Sequence, residues 1–444
     1  MSTDDSPDGR APEPVDRPGA RAPEGTHDVL APESWRWRHV LGVFAGRATR
    51  AGYGLVISPM FEHVSVFLRG LGEEAEVVNK EMYEFTDRGG RAFALRPEGT
   101  ASIVRAFVQH HPVVPWKAWY ATPAFRDERP QGLRFKQHHQ LGVEVLGTED
   151  PDLDVEVIDL AAGFYADLGL ARVALSVSSM GDARCRPPYV AFLRQRLDER
   201  RDQLCDEHRD RFAVNPLRVL DCKRPECVAA TADLPGLVDS LCEDCQPHFD
   251  RVLAGLDALG LTYVVDKRLV RGFDYYTRTT FEFAGQSLEV SQNGIGGGGR
   301  YGGLAEALGG PPTPGIGFGI GIERVLGTCD AEGVVLPEPP ALDAYVVDTT
   351  GGGVARDLVA ELRRAGLGAD RAFDGRSMKS QMKSADRSGA AVALIVGPAE
   401  LAAGTVALRP LRTDDGDQLV VPAADVVRAV GELAHQDEAT RSAR

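Results

Sequence analysis

The feature that most restricts the fold is an interruption. From Thr26 to about Leu175 the sequence alternates helical and strand patterns, and from about Arg186 to Leu261 it becomes helical, charged and rich in cysteine. The strand pattern then resumes at TYVVDKRLVRGFDYYTRTTFEFAG. A helical block set inside a sheet pattern predicts an insertion within one catalytic domain. Before the block, Trp35, Val40, Val43 and Phe44 recur at near-helical spacing. GLVISPMFEHV predicts a strand running into Pro59, which lacks a ladder donor and suits a strand end. Met82 to Thr86 and Ala92 to Leu95, joined by Asp87-Arg88-Gly89-Gly90, predict a hairpin. KAWYATPAFRDE and FKQHHQLGVEVLG predict two more strands, joined by the polar loop from Arg129 to Arg134. Strands so frequent and so briefly connected indicate a mainly antiparallel sheet. After the Pro-rich VLPEPPALD, a strand–turn–helix–strand pattern predicts a small α/β domain.

At 444 residues the chain is too long for one ordinary core, which argues for two or three domains. No apolar run approaches the roughly 20 residues of a membrane helix. The first 25 residues hold no apolar signal region, so a cytoplasmic location is expected, and the Pro, Asp, Arg and Gly of roughly the first 20 predict a disordered tail. A net charge of −15 argues against a general nucleic-acid coat, but a local basic patch can still bind phosphate. Seven cysteines without a signal sequence point to reduced thiols or a metal, not a disulfide framework.

The stretch LVRGFDYYTRTTFEF sets Arg271, two tyrosines and Arg278 close together in strand-like text. It reads either as a solvated hairpin or as a pocket for a polar substrate beside an anion. NGIGGGGRYGGL contains G-x-G-x-x-G at Gly294 to Gly299, but without the βαβ order of a dinucleotide fold. Close backbone approach to substrate or nucleotide is the better reading, and no Gly-Lys-Ser/Thr follows to make a Walker loop.

ALRPEGTASIVRAF, PAFRDERPQ, HHQLGVEVLG, LVRGFDYYTRTTFEF, GGGGRYGGL and GIGFGIGIERVL occur in the order found in histidyl-tRNA synthetases, and the chain resembles that class II family from roughly Gly25 to Val430. The resemblance implies an α+β fold. Its antiparallel sheet is flanked by helices and carries a helical Cys-rich insertion and a C-terminal α/β anticodon-binding domain. The implied division is a tail over 1–24, a catalytic domain over 25–185 and 262–330, the insertion over 186–261, a linker over 331–340, the anticodon-binding domain over 341–430 and a tail over 431–444. It also implies a homodimer, with GLVISPMFEHV at the interface.

The implied reaction joins L-histidine to ATP as histidyl-adenylate and transfers the acyl group to the 3′ end of tRNA(His), with Mg²⁺ on the ATP. Two anions meet in such a site, so fixed positive charge has to stand where negative charge accumulates. By resemblance Arg126 contacts the α-phosphate, Arg324 the γ-phosphate, and Arg271 the carboxylate and α-phosphate as the transferring charge develops. His138 falls where an aromatic usually stacks on adenine. Glu98, Gly99, Thr100 and Gln140 match the positions around the α-amino group. Tyr275, Tyr276 and Glu144 match the side-chain pocket, with Tyr276 and Glu144 on the two imidazole nitrogens. Acceptor-end contacts are expected at Arg134 and Lys136.

The chain departs from the family pattern at Gly302, at His138, at Gly132 and Leu133 in the loop that approaches the acceptor end, and at Glu24. Cys222 and Cys227 together with Cys242 and Cys245 are expected either to form one tetrahedral Zn²⁺ site or to stand as reduced core cysteines. Residues 371–387 carry five basic side chains, Arg376, Lys379 and Lys383 among them, against two acidic ones, which suits tRNA backbone contact. The competing readings are a non-catalytic regulatory subunit of ATP phosphoribosyltransferase and, more distantly, a nucleotide-dependent oxidoreductase.

Overall fold

The structure, a computed structural model, describes residues 21–71, 77–271, 275–289, 293–339, 341–412 and 417–442. The tail expected over the first 20 residues, and Gly272 to Asp274 of the tyrosine-bearing stretch, lie outside the described residues. The chain forms two compact units that part between Pro337 and Glu338.

In the first unit the elements run α1 (Glu33–Arg50), β1 (Gly54–Leu55), β2 (Phe61–His63), α2 (Val64–Leu71), β3 (Glu84–Thr86), β4 (Ala92–Leu95), α3 (Thr100–His110), β5 (Trp116–Phe125), β6 (Gln137–Leu146), α4 (Pro151–Asp167) and β7 (Val173–Ser179). The insertion follows with α5 (Arg186–Asp198), α6 (Asp206–Arg209), α7 (Leu217–Asp221), α8 (Pro225–Thr231) and α9 (Cys245–Ala258). The sheet then resumes with β8 (Val264–Val265), β9 (Tyr276–Gly285), β10 (Gly294–Tyr301), α10 (Leu304–Ala307), β11 (Gly315–Gly321) and α11 (Ile322–Glu332). Among the described residues, eight strands make one sheet in the order β1-β5-β6-β11-β10-β9-β7-β8, parallel at the two edge pairs and antiparallel between them.

Strand alternation divides this sheet into a packed face and a working face. Leu141, Val143 and Val145 of β6, Ile316, Phe318 and Ile320 of β11, and Phe281 and Phe283 of β9 join Phe44 of α1, Phe164 of α4, Val252 of α9 and Val325 of α11 in the main core. The intervening residues, among them Gln140 and Glu144 of β6 and Gly317 and Gly319 of β11, therefore point the other way. The GIGFGIG text of β11 is this division written out: bulk on one side, bare backbone on the other.

GLVISPMFEHV is not one strand. Its ends belong to β1 in the large sheet and β2 in a separate three-stranded sheet ordered β2-β4-β3. The cause lies at Ser58-Pro59, where the buried Arg96 guanidinium donates to the carbonyls of Ser58 and Pro59, each at 3.2 Å, and to Ser58 Oγ at 2.9 Å. A backbone whose carbonyls turn to a buried cation, at a residue with no N–H, cannot continue a ladder. The β3–β4 hairpin pairs Phe85 with Phe93 as its turn residues predict.

The second unit contains β12 (Ala344–Asp348), α12 (Gly353–Arg364), β13 (Ala369–Arg371), α13 (Met378–Arg387), β14 (Val392–Val396), α14 (Pro398–Ala403), β15 (Thr405–Pro410), β16 (Leu419–Pro422) and α15 (Val426–Ser442). Its sheet runs β13-β12-β14-β15-β16 and is buried on both faces, by Leu358, Leu362 and Val430 on one and Ala385 and Ala390 on the other. Among the described residues no helix is long and apolar enough to cross a membrane.

Candidate active site

A cavity of about 250 Å³ opens on the working face and is lined by four arginines, Arg126, Arg134, Arg271 and Arg324. Arg126 follows the end of β5 and donates its Nε to Pro97 O at 3.1 Å. Arg324 sits in the first turn of α11, where it donates to Gly294 O. Burial, then the neighbouring charges of Arg134 and Arg126, lower its basicity despite Glu128 nearby. Arg271 Nη1 pairs with Glu282 Oε2 at 2.9 Å, and its guanidinium lies 5.6 Å from the Tyr276 ring centre. Guanidiniums gathered around one cavity, one of them weakened by the others, make a site that gains from an anion.

His138 and Gln140 of β6 line the same cavity. Burial, followed by Arg126, His139 and Arg324, pushes the His138 imidazole down to about 3, so the ring is neutral and keeps an aromatic face beside the cations. The adjacent His139 points to the opposite face, where its backbone N–H and Nδ1 engage the Glu323 carboxylate at 2.9 and 3.0 Å. That contact ties β6 to the start of α11 and so fixes the arginine next along. Leu133 also lines the cavity and leans on Gly327 of α11, where a Cβ would meet Leu133 Cδ1 at 2.5 Å.

Gln140 connects this cavity to a second, buried group of residues. Its Oε1 accepts from Gly99 N–H at 3.0 Å, and Thr100 Oγ1 donates to Glu144 Oε1 at 2.7 Å. Glu144 is fully buried and also accepts from Tyr301 OH at 2.8 Å and Tyr120 OH at 3.5 Å. Room for its carboxylate comes from Gly317, where a Cβ would stand 1.9 Å from Glu144 Oε2. Burial raises the Glu144 carboxyl to about 8, against the opposing pull of its hydroxyl donors. Tyr275 and Tyr276 stand beside this group, with ring centres 4.7 Å apart and Tyr275 5.6 Å from Tyr301.

Glu98 has a different local task from the one its sequence context suggests. Its two carboxylate oxygens accept from Thr100 N–H at 2.6 Å and Ala101 N–H at 2.8 Å, capping α3 from the residue before Gly99. Thr100, a natural N-cap by type, is thereby released to face Glu144.

The structure thus brings together Arg126, His138, Gln140, Arg271 and Arg324, and beside them Glu98, Gly99, Thr100, Glu144, Tyr275 and Tyr276. Arg134, expected at the acceptor end, lines the cavity itself, whereas Lys136 turns away to pair with Asp127 at 2.5 Å. Arg376, Lys379 and Lys383 are exposed on and just before α13. The cysteines do not meet as one set of four: Cys222 and Cys227 converge with Cys205 and His208, and Cys242 and Cys245 with Asp182 and Cys185. Sequence reasoning missed Tyr120, Tyr301, Glu128 and Glu282. The tyrosines were legible in principle as polar-tipped residues on the side of their strands opposite the core.

An antiparallel sheet that sets Arg126 from the end of β5 and Arg324 from the first turn of α11, the helix after β11, around one cavity has the arrangement of a class II aminoacyl-tRNA synthetase. The histidyl-tRNA synthetase family model matches residues 25–184, and an anticodon binding domain model matches residues 344–433. The chain is 46% identical to the histidine–tRNA ligase of Rhodococcus erythropolis, across 93% of this chain and 97% of that one. It is 47% identical to that of Moorella thermoacetica, across 91% and 96%. The structure of histidyl-tRNA synthetase from S. aureus superposes with a TM-score of 0.78 at 32% identity, covering 92% of this chain and 99% of that one. The chain belongs to the histidyl-tRNA synthetase family.

Proposed function

We infer that the chain is an ATP-dependent histidine–tRNA ligase, and the observation that carries this reading is the join between an arginine-lined cavity and a buried carboxyl–tyrosine group. The cavity suits a nucleotide triphosphate and the buried group suits an imidazole. The substrate carboxylate lies between them, where its oxygen attacks the α-phosphorus and the bond to pyrophosphate breaks. Arg126 and Arg271 stabilise the charge that gathers on the α-phosphate and carboxylate, and Arg324 holds the γ-phosphate. His138 offers its neutral ring to adenine. Glu144 and Tyr276 take the two imidazole nitrogens, while Glu98, Thr100 and Gln140 surround the α-amino group. The 3′-hydroxyl oxygen of the terminal adenosine then attacks the acyl carbon, and the bond to AMP breaks.

Mg²⁺ on the ATP would be held by Glu282 and Glu128, two of the carboxylates lining the cavity, the third, Glu323, being engaged by His139, and there it would offset phosphate charge. Neither cysteine cluster lines the cavity, so zinc in this reading is structural. A homodimer through the β1–β2 region is supported by Leu55, Ile57, Met60 and Phe61, which are 53, 86, 53 and 48% exposed there. The division into catalytic domain, insertion and anticodon-binding domain follows the boundaries given above, and the enzyme is placed in the cytoplasm with its tRNA.

The test is charging of a tRNA(His) transcript with labelled histidine by the full chain. Acid-stable label on the transcript supports the reading. A folded protein that binds histidine but charges no tRNA would favour the regulatory subunit of ATP phosphoribosyltransferase. Replacing both Lys379 and Lys383 with Ala should raise the KM for tRNA about 10-fold at moderate salt and leave pyrophosphate exchange unchanged, since phosphate contacts act on tRNA alone. An unchanged tRNA KM would remove α13 from the tRNA surface.

A further inference from the structure

We propose that the insertion carries two separate tetrahedral Zn²⁺ sites, nested one inside the other along the chain. Among the described residues, Cys205, His208, Cys222 and Cys227 each bring one ligand atom to within 4.8 Å of the others, and Asp182, Cys185, Cys242 and Cys245 do the same. In the first set His208 Nδ1 lies 3.1 Å from Cys205 Sγ and 3.9 Å from Cys227 Sγ. In the second, Asp182 Oδ1 lies 3.6 Å from the Sγ atoms of both Cys185 and Cys242. Four ligands at about 2.0–2.3 Å around one ion in tetrahedral array stand roughly 3.3–3.8 Å apart, so these separations suit a metal at each centre. The cysteines form no disulfide.

Backbone N–H groups point at a sulfur in each set. Cys205 N–H donates to Cys227 Sγ at 3.4 Å, and Asp182 N–H donates to Cys185 Sγ at 3.2 Å. The Asp182 carboxylate is held in place by Arg184, through its N–H at 2.8 Å and its guanidinium at 3.4 Å. Arg184 also brings positive charge to a set that would hold three thiolates and a carboxylate. Donors that orient ligands and offset their charge are what a metal site needs beyond its ligands. Three soft sulfurs with an imidazole or one carboxylate, all four positions supplied by protein, select Zn²⁺ as a structural ion.

The insertion also needs such staples. Helices α6, α7 and α8 have four, five and seven residues. Isolated helices shorter than about 12 residues are marginal in water. Their shared core, with Tyr189, Leu193, Leu197, Leu204, Phe212 and Leu220 among its larger members, also takes in Cys205 and Cys227. A bound metal is the usual remedy for a module of such short helices. The outer set closes the base, where the chain leaves β7 and returns into α9, and the inner set closes the tip. The base borders the histidine pocket: Met180 N–H donates to Arg278 O at 2.7 Å, Arg278 N–H to Gly181 O at 2.8 Å, and Arg186 to Tyr276 O.

The full chain, expressed with zinc supplied and freed of loose metal by gel filtration, should carry two zinc ions by mass spectrometry of the elements. Cys227→Ser and Cys245→Ser should each carry one, and the double variant none. Mercurial titration of the unmodified protein with a chromogenic zinc indicator gives the answer even where a variant fails to fold. Two ions should leave as six thiols react, with Cys329 outside the count. One ion per chain or none in the unmodified protein, or loss of both ions from a folded single variant, would overturn the proposal.

Discussion

Replacing Arg271 with Ala is expected to lower histidine-dependent ATP–pyrophosphate exchange by about 10³-fold while the protein still folds. The side chain joins the two halves of the site. It pairs with Glu282 at 2.9 Å on the cavity side and lies over the Tyr276 ring on the other. A fixed donor aimed at developing charge in a partly desolvated site contributes about 2.7–4 kcal/mol to the transition state, and little of that appears in ground-state binding. The loss should therefore fall on kcat more than on the KM for ATP, which retains Arg126 and Arg324. Lys at 271 should recover only part of the rate, because it restores the charge but not the planar fork. Exchange near the unmodified level in the Ala variant would break the role given to Arg271.

The second large effect is expected at Glu144. Glu144→Gln should reduce kcat/KM for histidine by about 10²-fold or more and leave the KM for ATP within about threefold, because the amide NH₂ brings two fixed donors where the carboxyl brings at most one. Equal losses for both substrates would contradict the pocket assignment. The same variant has a stability signature of opposite sign. The carboxyl is raised by burial from its ordinary 4.5 to about 8. Between those values the unfolded chain has released the proton and the folded chain retains it, so native stability falls as pH rises through that window. Gln cannot ionise and removes the slope. The melting temperature of Glu144→Gln relative to the unmodified protein should thus be more favourable at pH 8 than at pH 5. A constant difference across that range would show that Glu144 is not held neutral by burial.

Strand periodicity made much of the fold and site legible. The alternation in HHQLGVEVL separates Leu141, Val143 and Val145 from Gln140 and Glu144, and the alternation in GIGFGIG leaves bare backbone opposite Glu144. Less legible was whatever depends on elements that meet only in space. Tyr120 and Tyr301 reach Glu144 from β5 and β10, one paired with β6 and the other two strands away, and neither neighbour is written beside it in the chain. Glu98 reads as a substrate acceptor, but its capping of α3 depends on how the preceding turn is set. Pro59 marks a strand end, but the split into two sheets comes from Arg96, a residue 37 positions away. The cysteine spacings identify ligands but not closing order. Joining the two close pairs predicts one set of four cysteines, whereas the fold gathers two nested sets that take in Cys185 and Cys205 and also Asp182 and His208, which no cysteine count would reveal.

The most direct test of the central claim is ATP–pyrophosphate exchange on the folded, full-length protein with each of the twenty amino acids in turn. The account predicts exchange with histidine at least about 10³-fold above every other amino acid, as expected where a buried acceptor and hydroxyl would be left unpaired by an apolar side chain. Absence of exchange with histidine, or comparable exchange with another amino acid, would contradict it.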